Sequence, residues 1–133
     1  MTLTMINNDD PRRLLGQSKE QYAKFLESKD NDVLAEAGEL LWESLKAHII
    51  QTGNIKVSNL KILTKAASEM GETYSTLFFH CYHFHSWYLG VGVPNSIIAE
   101  KKLYLETVKL LEKTINENGH SQRARKRPLE KIS

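Results

Sequence analysis

Four side chains that can bind metals or carry protons lie within six residues of one another: His80, Cys81, His83 and His85. Two of the histidines are three residues apart, and the cysteine is four residues from the third, so each pair shares one side of a helix. The two pairs project about 100° or more apart, which prevents them from forming one four-ligand site. A metal site would need a further ligand from elsewhere, such as His48 or an acidic residue of the second helix, which carries His48.

The known metal signatures of helical proteins are absent from this segment. The sequence contains neither His-Glu-x-x-His nor the paired Glu-x-x-His of di-iron bundles. We therefore expect no metal and no cofactor, and we treat His80 and His83 only as candidate catalytic groups. Cys81 is expected in the core as an inert, small apolar side chain rather than a nucleophile.

The same segment holds seven of the eleven aromatic residues, between Tyr74 and Tyr88. Helical geometry at about 100° per residue places five side chains on one face, which we predict to be core: Tyr74, Leu77, Cys81, Phe84 and Tyr88. Phe79 and Tyr82 point nearly the opposite way. A helix that is apolar on two sides must be buried inside the domain or lend one side to a partner.

We predict that this second side forms an oligomer interface or a ligand cleft. The residues expected to contribute are Phe79, Tyr82, His83 and Trp87. Trp42, on an earlier helix, is expected to be a further interface anchor or, alternatively, part of the core rim.

That earlier helix also carries a stripe of acidic residues: Asp32, Glu36, Glu39 and Glu43. Like charges four residues apart cost a few tenths of a kcal/mol each. A solvated face is the favoured interpretation, and a surface for a cation or a basic partner is the alternative.

Five helices are needed to position these groups, and capping residues and glycines mark their ends. No segment alternates with a period of two, so no strand is predicted. Short connections make neighbouring helices antiparallel, which predicts an all-α bundle. The first helix is expected to begin at Pro11, with Asp10 as its cap, and the second near Asp32. The third is expected to follow a cap at Ser58, the fourth to begin near Glu72 and the fifth near Ser96. The fifth is expected to end at Gly119.

The 133 residues carry 18 basic and 16 acidic side chains, for a formal net charge of +2. This length predicts a single domain, over residues 9–119, after a disordered segment at 1–8. No run approaches the ~20 apolar residues that span a bilayer, so we expect a cytoplasmic protein without a membrane partner. A single cysteine excludes an internal disulfide.

The positive charge is concentrated in residues 120–133, which carry +4, while residues 1–119 carry −2. This segment has too few apolar residues to fold, so we predict a disordered basic tail. Nucleic acid is expected to bind, if at all, only there, through phosphate contacts by Arg123, Arg125, Lys126 and Arg127. The alternative is a solvated terminus without a ligand.

The order of motifs resembles a known family. The segment Leu34–His48, LAEAGELLWESLKAH, resembles the acid-x-Leu-Trp helix, followed by small residues, of the archaeal PaREP proteins. As in that family, a Ser-led short helix follows at 58–70, and the next helix ends in a histidine and aromatic cluster, HFHSWY, at 83–88. The resemblance covers residues 15–117.

PaREP proteins are largely uncharacterised, and their helical bundle is similar to HEPN domains. The resemblance implies a homodimer, a nucleotidyltransferase-type protein partner and, for many HEPN domains, ribonuclease activity. HEPN ribonucleases carry an arginine four to six residues before a histidine. Here no arginine occurs between Arg13 and Arg123, and lysine would not replace its planar phosphate-binding fork. The ribonuclease activity is therefore not carried over.

These observations favour a non-catalytic, dimeric helical bundle that binds a protein partner or a nucleotide through the surface around the fourth helix. The alternative is a divergent ribonuclease or metal-dependent enzyme of a toxin–antitoxin or defence type, using the histidines of that helix.

Overall fold

The computed structural model describes residues 10–92 and 96–125, apart from the side chains of residues 118–125. In that part of the chain the secondary structure is entirely helical, which confirms the predicted all-α bundle of five helices. None of the described helices is long and apolar enough to cross a membrane. The helices are α1 (Pro11–Ser28), α2 (Asn31–Thr52), α3 (Leu60–Met70), α4 (Glu72–Tyr88) and α5 (Ile97–Arg125).

Side-chain caps explain where the helices begin. Asp10 accepts a hydrogen bond from the backbone N–H of Arg12 at 3.0 Å, and Pro11 occupies the first turn, as predicted. The third helix is capped by Asn59, whose Oδ1 accepts from the N–H of Ile62 at 2.9 Å, and not by Ser58. Both residue types cap helices well, so composition alone does not distinguish them.

The last helix continues through Gly119 to Arg125, so the predicted end at Gly119 is wrong. A glycine inside a helix costs about 1 kcal/mol relative to alanine, which a long helix tolerates. Arg123 and Arg125 of the predicted tail therefore belong to helical backbone. Lys126 and Arg127, and the predicted disordered residues 1–8, lie outside the described residues.

The centre of the bundle is α2, which packs against each of the other four helices. Leu34, Leu41 and Leu45 form an apolar stripe at helical spacing along it, and all three are fully buried. This position of α2 leaves α4 on the outside of the bundle, with one side free of the other helices.

A buried hydroxyl network joins three helices. The Oγ of Ser18 on α1 donates to the carbonyl oxygen of Ala37 on α2 at 2.7 Å. The hydroxyl of Tyr104 on α5 lies 2.8 Å from the same Oγ. Since Ser18 has one hydroxyl proton, which Ala37 receives, the Tyr104 hydroxyl is the donor in the second bond.

Candidate functional site

The inner face of α4 is core, as predicted, at its three central positions. Leu77, Cys81 and Phe84 are fully buried. Burial raises the pKa of the Cys81 thiol, which keeps it protonated and unreactive. The two ends of this face differ from the prediction: Tyr74 is half-buried, and Tyr88 is 48% exposed. Tyr88 lies in the last turn of α4, where it lines a cavity beside α1 and α2 instead of entering the core.

The outer face of α4 exposes aromatic side chains to solvent. Phe79 is 74% exposed and Tyr82 is 37% exposed, although both lie in the middle of a well-formed helix. His83 and Trp87 lie on the flank and are half-buried. The spacing therefore placed Phe79 and Tyr82 correctly on a side of the helix that the other described residues leave open.

Trp42 does not belong to this surface. Its side chain is only 3% exposed, so its predicted role as an interface anchor is wrong, and the alternative of a core position holds. The indole ring stacks on His85 at 4.9 Å between ring centroids. Phe78 and Tyr82 contact it edge-on, with centroids 5.2 Å and 5.5 Å away. Trp42 therefore supports the exposed Tyr82 from beneath.

His83 is bonded to a carboxylate that the sequence did not single out. Its Nε2 lies 2.9 Å and 3.0 Å from the two carboxylate oxygens of Glu100 on α5, so the ring N–H donates to that carboxylate. The Glu100 side chain is fully buried, whereas that of His83 is 27% exposed. An acidic residue in the first turn of a helix reads as a surface residue, which is why Glu100 was missed.

His85 forms a second such pair on the opposite flank of α4. Its Nδ1 lies 2.7 Å from Oε1 of Glu39 on α2. Burial raises the pKa of Glu39, while the hydrogen bond and the charge of His85 oppose that shift. The acidic stripe of α2 is therefore not uniformly solvated: Glu39 is half-buried, whereas Glu36 is exposed and accepts from Gln21 at 2.7 Å.

His48 on α2 is bonded to a tyrosine of α4 and not to a carboxylate. Its Nε2 lies 2.9 Å from the hydroxyl of Tyr74, and the two rings stack at 5.6 Å between centroids. Burial lowers the pKa of His48 to about 4, and the positive charge of Arg12 adds to that shift. His48 is thus a neutral packing residue inside the bundle.

The candidate metal ligands do not converge. Among the described residues, no group of three or more histidine, cysteine or acidic side chains is arranged to hold a metal ion. Each of three histidines has a different partner. His83 is bonded to Glu100, His85 to Glu39 and His48 to Tyr74. His80 is half-buried, and burial lowers its pKa, against the opposing charge of Glu106.

A cavity of about 370 Å³ lies beside Glu39, between α1, α2 and the end of α4. Three carboxylates line it, from Glu20, Glu36 and Glu39, and negative charge is what the alternative interpretation of the acidic stripe requires. The lining residues are Gln17, Glu20, Gln21, Glu36, Glu39, Leu40 and Tyr88.

Comparison with known proteins identifies no relative. No family model, no curated protein and no solved structure matches the chain.

Proposed function

We propose that this chain is a non-catalytic interaction module that forms a homodimer through the outer face of α4, centred on Phe79 and Tyr82. The observation that supports the proposal most directly is the 74% exposure of Phe79 in mid-helix. Aromatic side chains dominate the energetics of protein interfaces, where their burial supplies much of the affinity.

The charge of α4 favours a second copy as the occupant. A symmetric dimer brings the same surface of two copies together, so a surface that carries a net charge faces its own sign. The helix contains no lysine or arginine, and its single acidic residue, Glu72, lies at its first position. Two copies of this face therefore meet without like-charge repulsion near Phe79.

The side chains beneath the face fix its shape. Tyr82 is held against the buried Trp42, and its ring is nearly parallel to that of Phe78, with an interplanar angle of 7°. An aromatic residue that is held by its neighbours loses little conformational entropy when a partner covers it. The resemblance to dimeric HEPN-like bundles supports the same proposal and offers a nucleotidyltransferase-type protein as a different occupant.

The test is the molecular mass in solution, measured by light scattering during size-exclusion chromatography. The wild type is expected at about twice its chain mass of 15.2 kDa. Phe79→Glu is expected to be a monomer, because dimerisation would bury the new charge without a partner. Leu26→Glu is the matched control, since Leu26 is an exposed apolar residue of α1, and it should remain a dimer.

Two outcomes would contradict this proposal. A monomeric wild type at micromolar concentration excludes the homodimer, and a Phe79→Glu variant that remains dimeric places the interface elsewhere. Circular dichroism of both variants shows whether the helical fold is retained.

A ribonuclease remains the second candidate, and the His83–Glu100 pair is the observation that favours it. A partly exposed histidine that is oriented by a carboxylate has the arrangement of a general base. RNA cleavage by the wild type that is lost in His83→Gln would support this activity. Equal rates in the two proteins, or no cleavage by either, would exclude His83 as a catalytic residue.

A further inference from the structure

One stretch of the chain, around α3, carries positive charge alone. Residues 44–68 contain four lysines and no aspartate or glutamate, whereas residues 1–119 as a whole carry −2. The stretch covers the end of α2, the connection at 53–59 and most of α3. The next acidic residue, Glu69, lies in the last turn of α3, where a carboxylate oxygen is 3.8 Å from Nζ of Lys65. The positive charge is therefore unopposed along the chain at the beginning of α3.

Large aliphatic side chains are exposed at the same place. Val57 in the connection is 70% exposed, Leu60 at the first position of α3 is 46% exposed, and Ile62 is exposed in the same turn. Exposed apolar groups that lie together and are edged by polar residues mark protein or membrane interaction sites. The lysines that alternate with these residues are exposed as well. We call this surface the α3 tip: Lys56, Val57, Leu60, Lys61 and Ile62, with Lys65 one turn further along the helix.

The backbone of the α3 tip is held at both ends. After α2, Asn54 adopts a left-handed conformation, with φ of 53°, and the N–H of Ile55 donates to the carbonyl oxygen of Ile50 at 3.0 Å. At the other end, the Asn59 side chain caps α3. The exposed aliphatic side chains thus extend from a formed turn, and little backbone ordering is required when a partner covers them.

We propose that the α3 tip is a contact site for the surface of a lipid bilayer that contains anionic lipids. Each lysine close to such a surface strengthens binding about five-fold, through attraction to the headgroups. The aliphatic side chains between the lysines enter the boundary between headgroups and acyl chains, where they leave water. The two kinds of side chain at the α3 tip therefore match the two layers that a bilayer presents.

The type of apolar side chain favours a bilayer over nucleic acid. Proteins hold single-stranded nucleic acid with aromatic rings that stack on the bases. The apolar residues of the α3 tip are a valine, a leucine and an isoleucine, which offer no stacking surface.

This site adds to the expectations from the sequence in two ways. A membrane partner was not expected because no segment is long enough to span a bilayer, but a surface contact needs no spanning segment. The α3 tip also shares no residue with the outer face of α4. Its contact with lipid therefore does not depend on the proposed homodimer.

The experiment is co-sedimentation of the full chain with two kinds of vesicle. One contains phosphatidylcholine alone, and the other contains phosphatidylcholine with about 30% phosphatidylserine. The partition coefficient of the wild type is expected to be at least about ten-fold higher on the anionic vesicles. Raising the salt to about 0.5 M should remove most of this difference, because exposed charges are then screened.

Two double variants separate the two contributions. Lys56→Gln with Lys61→Gln removes two charges and should lower the partition coefficient about ten- to thirty-fold. Val57→Gln with Leu60→Gln keeps every charge and should lower it about ten-fold or more, since two apolar side chains no longer leave water. The matched control is Ile98→Gln with Lys102→Gln, an exposed apolar residue and an exposed lysine of α5, and it should bind like the wild type.

Three outcomes would overturn the proposal. The first is a wild type that binds anionic vesicles no better than neutral ones. The second is wild-type binding by either tip variant, because the lipid would then be held elsewhere, for example by the basic residues 120–133. The third is binding of a single-stranded RNA that the lysine variant loses and the aliphatic variant retains, while neither variant changes vesicle binding. Circular dichroism verifies that each variant is folded, and either tip variant decides the matter if the other is not.

Discussion

Gly38 of α2 lies so close to Phe84 of α4 that a Cβ atom at position 38 would be 2.6 Å from the Cβ of Phe84. The atom in the way belongs to the rigid base of the phenylalanine, so it cannot rotate aside. Gly38→Ala should therefore push α4 away from α2. We expect a net loss of about 1 to 2 kcal/mol in the free energy of unfolding, after the helical preference of alanine is included.

Gly16 provides the matched control. It lies in α1, and a Cβ atom there would have no neighbour within 4 Å. Gly16→Ala should stabilise the protein by about 0.5 to 1 kcal/mol, since only the helix propensity changes. Urea unfolding of both variants checks the pair, and the interpretation fails if Gly38→Ala is as stable as Gly16→Ala.

The helices themselves were predictable, but their contacts were not. Asp10, Pro11 and the apolar stripe of α2 act locally, through capping and periodicity, so the sequence shows them directly. The approach of Gly38 to Phe84 depends on two residues far apart in the chain. From the sequence alone, a glycine inside a helix indicates only a lower helix propensity, because the side chain that packs against it is not known.

Substitutions of Ser18 and Tyr104 should have non-additive effects on the free energy of unfolding, because the two hydroxyls are hydrogen-bonded to each other. Ser18→Ala leaves the buried hydroxyl of Tyr104 without its acceptor, at a cost of about 1 to 3 kcal/mol. Tyr104→Phe removes the unsatisfied group, so the double variant should cost less than the sum of the two single changes. A double-mutant cycle by urea unfolding measures this coupling, and strict additivity would show that the bond contributes nothing.

His48 should make the protein less stable in mild acid. Its folded-state pKa of about 4 lies below the ordinary value of 6.5, so the unfolded chain takes up the proton first as the pH falls. The stabilisation is complete above pH 6.5 and is lost progressively towards pH 4. At pH 5 the contribution of this residue should be about 2 kcal/mol smaller than at pH 7.

The measurement is the urea midpoint at both pH values for the wild type and His48→Gln. The variant keeps a polar group near Tyr74 but has nothing to protonate, so its stability should change less between pH 7 and pH 5. Equal pH dependence in the two proteins would mean that His48 titrates normally in the fold.

Trp42→Ala should be among the most damaging single changes in the chain. The ring is buried against Phe78, Tyr82 and His85, and truncation leaves a large cavity that costs about 3 to 5 kcal/mol. Ile98→Ala is the control, because Ile98 is a large apolar residue that is 81% exposed, and it should change stability by less than about 0.5 kcal/mol. Similar thermal midpoints for the two variants would contradict the interior position of Trp42.

The candidate site was half visible in the sequence. Phe79 and Tyr82 could be placed because their side of α4 follows from helical spacing alone. Trp42 could not, since the side of α2 that meets α4 depends on how the two helices cross. Glu100 was hidden for a related reason: burial of a charge is decided by its partner, and His83 lies on another helix.

The scarcity of charge on α4 also decides which reagents can detect a partner there. The chain has no lysine or arginine between Lys65 and Lys101, so trypsin releases α4 and both of its connections as one long peptide. Amine-reactive cross-linkers find no target on the helix itself, so they cannot report a contact at Phe79 directly. A cysteine introduced at Ser75, an exposed position one turn before Phe79, would instead report this face by disulfide trapping.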